Sequence, residues 1–136
     1  MRAYLSLIPA GLLVAAVVPL IAHHSIDAEF DRTKPVKVTG TVTKVDWMNP
    51  HIWFYLDVKA DSGKIEKWQF EGGPPNALKR QGWSRTSLKE GDVVTVEGIM
   101  AKVSKDGINT GNTSAVRLSD GRRVLGRDPI DNNNKQ

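Results

Sequence analysis

From Val36 to Val58 the chain reads VKVTGTVTKVDWMNPHIWFYLDV, with apolar or small residues on alternate positions through most of it. Val36, Val38, Gly40 and Val42 keep one phase, and Val45 and Trp47 then take the other. A slip of one residue turns every following side chain to the opposite face unless a bulge or bend absorbs it. The pattern predicts one long, bent strand over 36–47, with Gly40 relieving crowding at the bend. Met48-Asn49-Pro50 then turns the chain into a second strand over 52–58. That strand sends Ile52, Phe54, Leu56 and Val58 one way and Trp53, Tyr55 and Asp57 the other.

Beyond it, Asp61-Ser62-Gly63 reads as a turn and 64–71 as a third strand, with Trp68 and Phe70 on one face. Gly72-Gly73-Pro74-Pro75 is a stiff break leading into a short helix over 76–81, stopped by Gly82 with Trp83 beyond. A turn over 87–92 opens a fourth strand, 93–100, carrying Val94, Val96, Gly98 and Met100 on one face. A glycine-rich loop over 106–112 precedes a fifth strand, 113–118, and Asp120-Gly121 turns a final ribbon through 123–125. No internal repeat is visible. The order is three strands, a short helix and two strands, with the first strand long and bent. It predicts an all-β domain with one short helix, a small OB-like five-stranded barrel. An SH3-like barrel or a small sandwich has compatible element lengths.

The start of the chain has a different grammar. Residues 1–22, MRAYLSLIPAGLLVAAVVPLIA, set one basic residue before an apolar run that ends in Pro19 and Ala22. That is the pattern of a secretory signal peptide, with cleavage expected after Ala22. The run is also near the length of a membrane span, so an uncleaved anchor is the alternative. Cleavage would place the protein in the periplasm or outside the cell, leave no membrane segment and make His23 the new amino terminus. The leader 23–35 is expected to be an irregular lead-in packed by Ile26 and Phe30. One domain, 23–127, then takes in leader and barrel, and the polar residues 128–136 are expected to be disordered.

Composition narrows the chemistry. At 136 residues the chain holds at most one domain with a modest core. It has no cysteine, which excludes disulfides, thiolate metal sites and a cysteine nucleophile. The formal charge of +4 is spread out, with Lys79-Arg80 and Arg122-Arg123 as the adjacent basic pairs. Nucleic-acid binding calls for clustered lysine and arginine. With export expected as well, the reading is a monomer whose partner is not nucleic acid.

Several segments together resemble a family of small exported bacterial proteins that has no assigned activity. They are AHHSIDAEFD (22–31), VTGTVTKVDWMNPHIWFYLDV (38–58), WQFEGGPPNALKRQGWSRTSLKEGDVVTVEG (68–98) and VRLSDGRR (116–123). Members open with His-His-Ser after the signal peptide and carry Asn-Pro-His between their first two strands. The resemblance covers nearly the whole mature chain apart from the loop at 102–112 and the tail. It implies an exported protein and brings no activity with it.

The three histidines of the chain, His23, His24 and His51, are the candidate metal ligands. A freed His23 offers an amine and its own imidazole Nδ1, which can close a six-membered chelate ring on one ion. His24 adds a second imidazole, and the fold could bring His51 in as a third. A nitrogen-rich site without thiolate suits Cu(II), Ni(II) and Zn(II), and the divalent affinity order puts copper first. Asp27, Glu29 and Asp31 could add oxygen ligands. The second candidate surface is aromatic: Trp47, Trp53 and Tyr55 on a barrel face that could meet a periplasmic protein or a glycan. Catalysis finds no support, because no base, nucleophile and orienting group can be read together. Gly72-Gly73-Pro74-Pro75 also lacks the Lys and Ser/Thr of a phosphate loop.

Overall fold

In a computed structural model of the chain, residues 26–125 are described. The expected signal peptide, His23, His24 and the polar tail lie outside them. The elements run α1 (Ile26–Glu29), β1 (Phe30–Asp46), β2 (Trp53–Lys59), β3 (Ile65–Glu71), α2 (Pro75–Arg80), β4 (Val93–Ala101), β5 (Asn109–Leu118) and β6 (Arg123–Leu125). The strand order is β3-β2-β1-β4-β5-β6, and an added parallel pairing of β3 with β5 closes the ring. Five strands and a helix between β3 and β4 make the OB-type barrel, with β6 as a short appended ribbon. Among the described residues no helix is long and apolar enough to cross a membrane.

The bend of β1 lies where the alternation slips. Its second half pairs with β2 and its first half with β4, and Thr41 belongs to both registers. A bulge between Val42 and Lys44 absorbs the phase change. Val42 therefore stays in the core and Val45 packs against it. Gly40 is required by proximity: a Cβ there would lie 2.6 Å from the carbonyl oxygen of Asp57.

Two strand starts differ by several residues from the sequence expectation, while the other boundaries agree to within one residue. β1 starts at Phe30 rather than Val36, because Phe30 and Asp31 pair with Ala101 and Met100 at the end of β4. The polar run through Pro35 has no alternation to announce a strand; its backbone partners come from β4, across an irregularity between Asp31 and Pro35. β5 starts at Asn109 rather than Thr113, because Asn109–Asn112 pair in parallel with Trp68–Glu71. Asn-Thr-Gly-Asn has little strand propensity of its own. Gly111 suits this seam because a Cβ there would come within 2.7 Å of the Phe70 ring.

The core is filled by Val42, Ile52, Phe54, Leu56, Phe70, Val94, Val96 and Val116, with Phe54 and Phe70 stacked at 5.7 Å. Each large apolar side chain buried here contributes roughly 1.5–3 kcal/mol relative to exposure. α2 packs Leu78 onto this core. Pro75 starts it, where a missing N–H costs nothing, and Gly82 at φ +91° ends it. The Gly82 N–H donates to Lys79 and the Trp83 N–H to Leu78, which is a Schellman closure that folds Trp83 back onto the core.

Candidate functional site

His51 sits in the connection between β1 and β2, directly after the Asn49–Pro50 peptide, which is cis. Its neighbour Ile52 is clamped at the backbone: the Ile52 N–H donates to Gly73 O at 3.2 Å and the Gly72 N–H to Ile52 O at 2.9 Å. A Cβ on Gly72 would lie 2.6 Å from Ile52 Cγ1, so the glycine lets the end of β3 close against the start of β2. This contact brings Glu71, the last residue of β3, beside His51. The imidazole Nδ1 of His51 meets the Glu71 carboxylate Oε1. A carboxylate only accepts, so Nδ1 carries the hydrogen, and in the neutral imidazole the lone pair is then on Nε2. The Glu71 residue is 9% exposed, while the His51 side chain is 37% exposed. The pair therefore has a buried anchor and an accessible imidazole.

Both residues line a cavity of about 240 Å³ together with Ile26, Glu29, Phe30, Asn112 and Thr113. One wall is thus the segment that follows His23 and His24 in sequence. That segment is fastened to the barrel. Phe30 is buried, the Lys102 N–H donates to Glu29 O at 2.9 Å, and the Lys102 ammonium donates to Asp27 O at 2.5 Å. Asp27 also pairs with Arg32, and the Asp31 carboxylate accepts from the Thr33 hydroxyl and N–H. Those hydrogen bonds from Thr33 hold the Asp31 carboxyl below its ordinary value. Thr113 Oγ1, in the cavity's residue set, is buried without a hydrogen-bond partner.

The period of β2 places Trp53 and Tyr55 on the same side as His51, opposite the core-facing Phe54 and Leu56. Across the ladder stand Glu71, paired with Trp53, and Gln69, paired with Tyr55. Gln69 donates to Thr110 Oγ1 at 2.9 Å, which carries the face onto β5. Hollows run along this face. Glu29 and Phe30 line both the His51 cavity and a hollow with Trp53, Lys105 and Thr110; Trp53 and Lys105 then line a further one with Asp46, Met48 and Tyr55. The Lys44 ammonium lies 5.2 Å from the Tyr55 ring centroid and donates to Asp46 at 2.7 Å. Burial first, then the Asp46 carboxylate, push the Tyr55 hydroxyl above its ordinary value.

The structure separates the residues singled out from sequence. His51, Trp53 and Tyr55 share one face. Trp47 does not join them: it is buried, stacked on Trp83 at 6.4 Å, with its carbonyl accepting from Arg85. The bulge after Val42 and the turn at Met48 put it on the core side. Among the described residues no three His, Asp or Glu side chains form a group that could hold a metal ion. Glu71, Gln69 and Lys102 escaped the sequence reading. The alternation of Trp68 and Phe70 carried a signal for the first two, since it places Gln69 and Glu71 on the other face of β3. Lys102 offered none, because its partners are carbonyls of the leader.

Among solved structures the chain resembles the mitochondrial single-stranded DNA binding protein Rim1 from S. cerevisiae. Form 2 of that protein has a TM-score of 0.47 and 9% identity over 66% of this chain and 94% of that one. The selenomethionine-labelled form gives 0.44 and 9%, over 65% and 93%. The fold assignment rests on the strand pairings above and not on this likeness. One expectation is corrected by it: nucleic acid is not excluded as a partner, since both neighbours are single-stranded DNA binding proteins. The exclusion had rested on expected compartment and on the scatter of basic residues, which says nothing of a face the fold itself assembles. A search of curated proteins finds no match. The sequence does match a family profile, described as "Family of unknown function (DUF6152)", over residues 10–113. The match takes in the loop at 102–112 and ends before the closing segment 116–123. Covering most of the chain, it places this protein in that family of unknown function.

Proposed function

We propose that this protein is an exported metal-binding module, with copper the first candidate, in which His51 is the ligand supplied by the barrel. The observation that carries the reading is the His51–Glu71 pair. Metal-binding histidines nearly always give their second ring N–H to a carboxylate, a carbonyl or water, which fixes the tautomer and raises the basicity of the ligating nitrogen. Here Glu71 accepts from the Nδ1–H of His51, which leaves Nε2 of the neutral imidazole for a ligand. The leader supports the same reading, because Ile26, Glu29 and Phe30 line the cavity that His51 lines. His24 precedes Ile26 by two residues, which is roughly 7 Å of extended chain. Cleavage after Ala22 gives His23 a free amine, so His23 and His24 supply the remaining nitrogens. The test is the intact mass of the exported protein followed by copper titration. Tight binding lost in His23→Ala and in His51→Ala is the expected result. A chain still beginning at Met1, or unchanged binding in both variants, sinks the proposal.

A second reading is a metal-independent binding module that contacts a protein or a glycan through its aromatic face. The chain of hollows along Trp53, Tyr55 and Lys105 favours it, since OB barrels take ligands on the face of strands two and three. Under this reading Trp53→Ala abolishes capture of the partner while His51→Ala leaves it intact. The reverse pattern would return the site to the metal.

A further inference from the structure

We infer that Gln69 is the specificity-determining residue of a site for uncharged glycans on the face of β2 and β3. The inference rests on the aromatic-face reading above and names its ligand and its contacts. Gln69 is 6% exposed and stands directly opposite Tyr55, so its side chain belongs to the face that Trp53 and Tyr55 share. Its amide is held in one orientation. The Thr110 hydroxyl gives its own hydrogen to the Ile108 carbonyl at 2.9 Å, so towards Gln69 its oxygen can only accept. Gln69 Nε2 therefore faces Thr110, at 2.9 Å, and Oε1 is turned away from it. Among the described residues no group donates to Oε1. Polar atoms of buried side chains normally find a partner. A nearly buried amide with a fixed orientation and an open acceptor is a built place for the O–H or N–H of a ligand.

The surroundings supply the rest of such a site. Gln69 lines a hollow of about 160 Å³ with Trp53, Tyr55 and Lys105. Trp53 and Lys105 also line the adjoining hollow of about 420 Å³. Neither the Lys105 ammonium nor Trp53 Nε1 has a hydrogen-bond partner among the described residues. The face thus sets one open acceptor and two open donors around two half-buried rings. A sugar hydroxyl both donates and accepts, which suits that mixture. Sugars with equatorial substituents also present flat faces of C–H bonds, and the negative face of an aromatic ring attracts those hydrogens.

Charge and backbone pairing narrow the ligand class. Across the face Lys44, Lys67, Lys102 and Lys105 stand against Glu29, Asp46, Asp57 and Glu71. With the signs matched, the face suits a ligand without net charge. β2 is paired by β1 on one side and β3 on the other, and Trp68–Glu71 of β3 by β2 and β5. No open edge is left beside Gln69 for an extended peptide to join as a further strand. Recognition falls to side chains, the mode that OB barrels use for oligosaccharides.

The experiment is calorimetric titration of the exported protein in EDTA with two uncharged probes, chitohexaose and cellohexaose, and with oligothymidylate. It is repeated on Trp53→Ala, Gln69→Leu and Lys105→Ala. At least one saccharide is expected to bind, and Gln69→Leu to weaken it about 10-fold, the effect of one lost hydrogen bond. Binding of neither saccharide, or saccharide binding unchanged in folded Gln69→Leu, overturns the assignment. If that variant does not fold, Lys105→Ala on its exposed loop decides, and unchanged binding there overturns the assignment instead. Oligothymidylate binding or capture of a protein that is lost in Trp53→Ala, without saccharide binding, overturns the glycan but keeps the aromatic face as the binding surface. Finding no ligand or partner sensitive to Trp53→Ala overturns the aromatic-face reading, and the glycan with it.

Discussion

Glu71 holds the Nδ1 side of His51 from the last position of β3, and it does so at a buried position. The relationship spans twenty residues of sequence. It exists because the Ile52 backbone bonds to Gly72 and Gly73, directly after the end of β3.

Glu71→Gln tests the orienting role of that carboxylate. Glutamine keeps an oxygen acceptor for Nδ1 and removes the charge. Under the proposed metal reading, copper affinity should fall about 10- to 100-fold, in line with other losses of a group that orients a metal ligand. Thermal stability should change by no more than about 1 kcal/mol, since a hydrogen bond remains possible. Copper binding that is unchanged in Glu71→Gln would count against an orienting role for Glu71 under that reading.

Tyr55 should titrate late. The chain has two tyrosines, Tyr4 and Tyr55, and cleavage after Ala22 would leave Tyr55 alone in the mature protein. Burial and the Asp46 carboxylate raise its hydroxyl above 10.0, with Lys44 opposing them. The ultraviolet tyrosinate band should therefore appear at a higher pH than in free tyrosine, and Asp46→Asn should move it back. Because the folded value is the raised one, the stability linked to this group is fully present below about pH 10. It is lost as the pH rises through the folded value. A midpoint at or below that of free tyrosine counts against the placement of Asp46 beside the ring.

Glycine substitutions separate a tight contact from a turn. A Cβ on Gly98 would lie 2.0 Å from the Asn112 carbonyl oxygen and 3.3 Å from Thr113 Cα. Both atoms belong to β5, whose backbone is held by β4 and, at Asn112, by β3. Gly63, at φ +83°, has open space around its Cβ position. Gly63→Ala should cost about 1–2 kcal/mol through backbone strain alone. Gly98→Ala should cost more and also disturb the wall of the His51 cavity at Asn112 and Thr113. Urea unfolding of the two variants decides it, and the opposite order would refute the account of the β4–β5 seam.

The order of strands and the short helix were legible because side-chain alternation and turn chemistry are local. Val42 and Val45 announced the bulge by their phase, and Gly82 announced the helix stop by its position. The same period put Trp53 and Tyr55 on one face and Phe54 and Leu56 on the other. Trp47 was misread as part of that face, because the turn at 48–52 between it and Trp53 uncouples their sides.

What the sequence determined by itself was the barrel's element order, its core face and the side of β2 on which Trp53 and Tyr55 lie. What only the tertiary structure decided was which residues meet. The strand character of Phe30–Pro35 and Asn109–Asn112 came from hydrogen-bonding partners on β4 and β3, not from their own propensity. The pairing of His51 with Glu71 likewise came from the closure of β2 on β3. Alternation in a sequence fixes the side of a strand on which a residue lies. The distance between two strands is set by the pairing of backbones far apart in the chain, and the site depends on that distance.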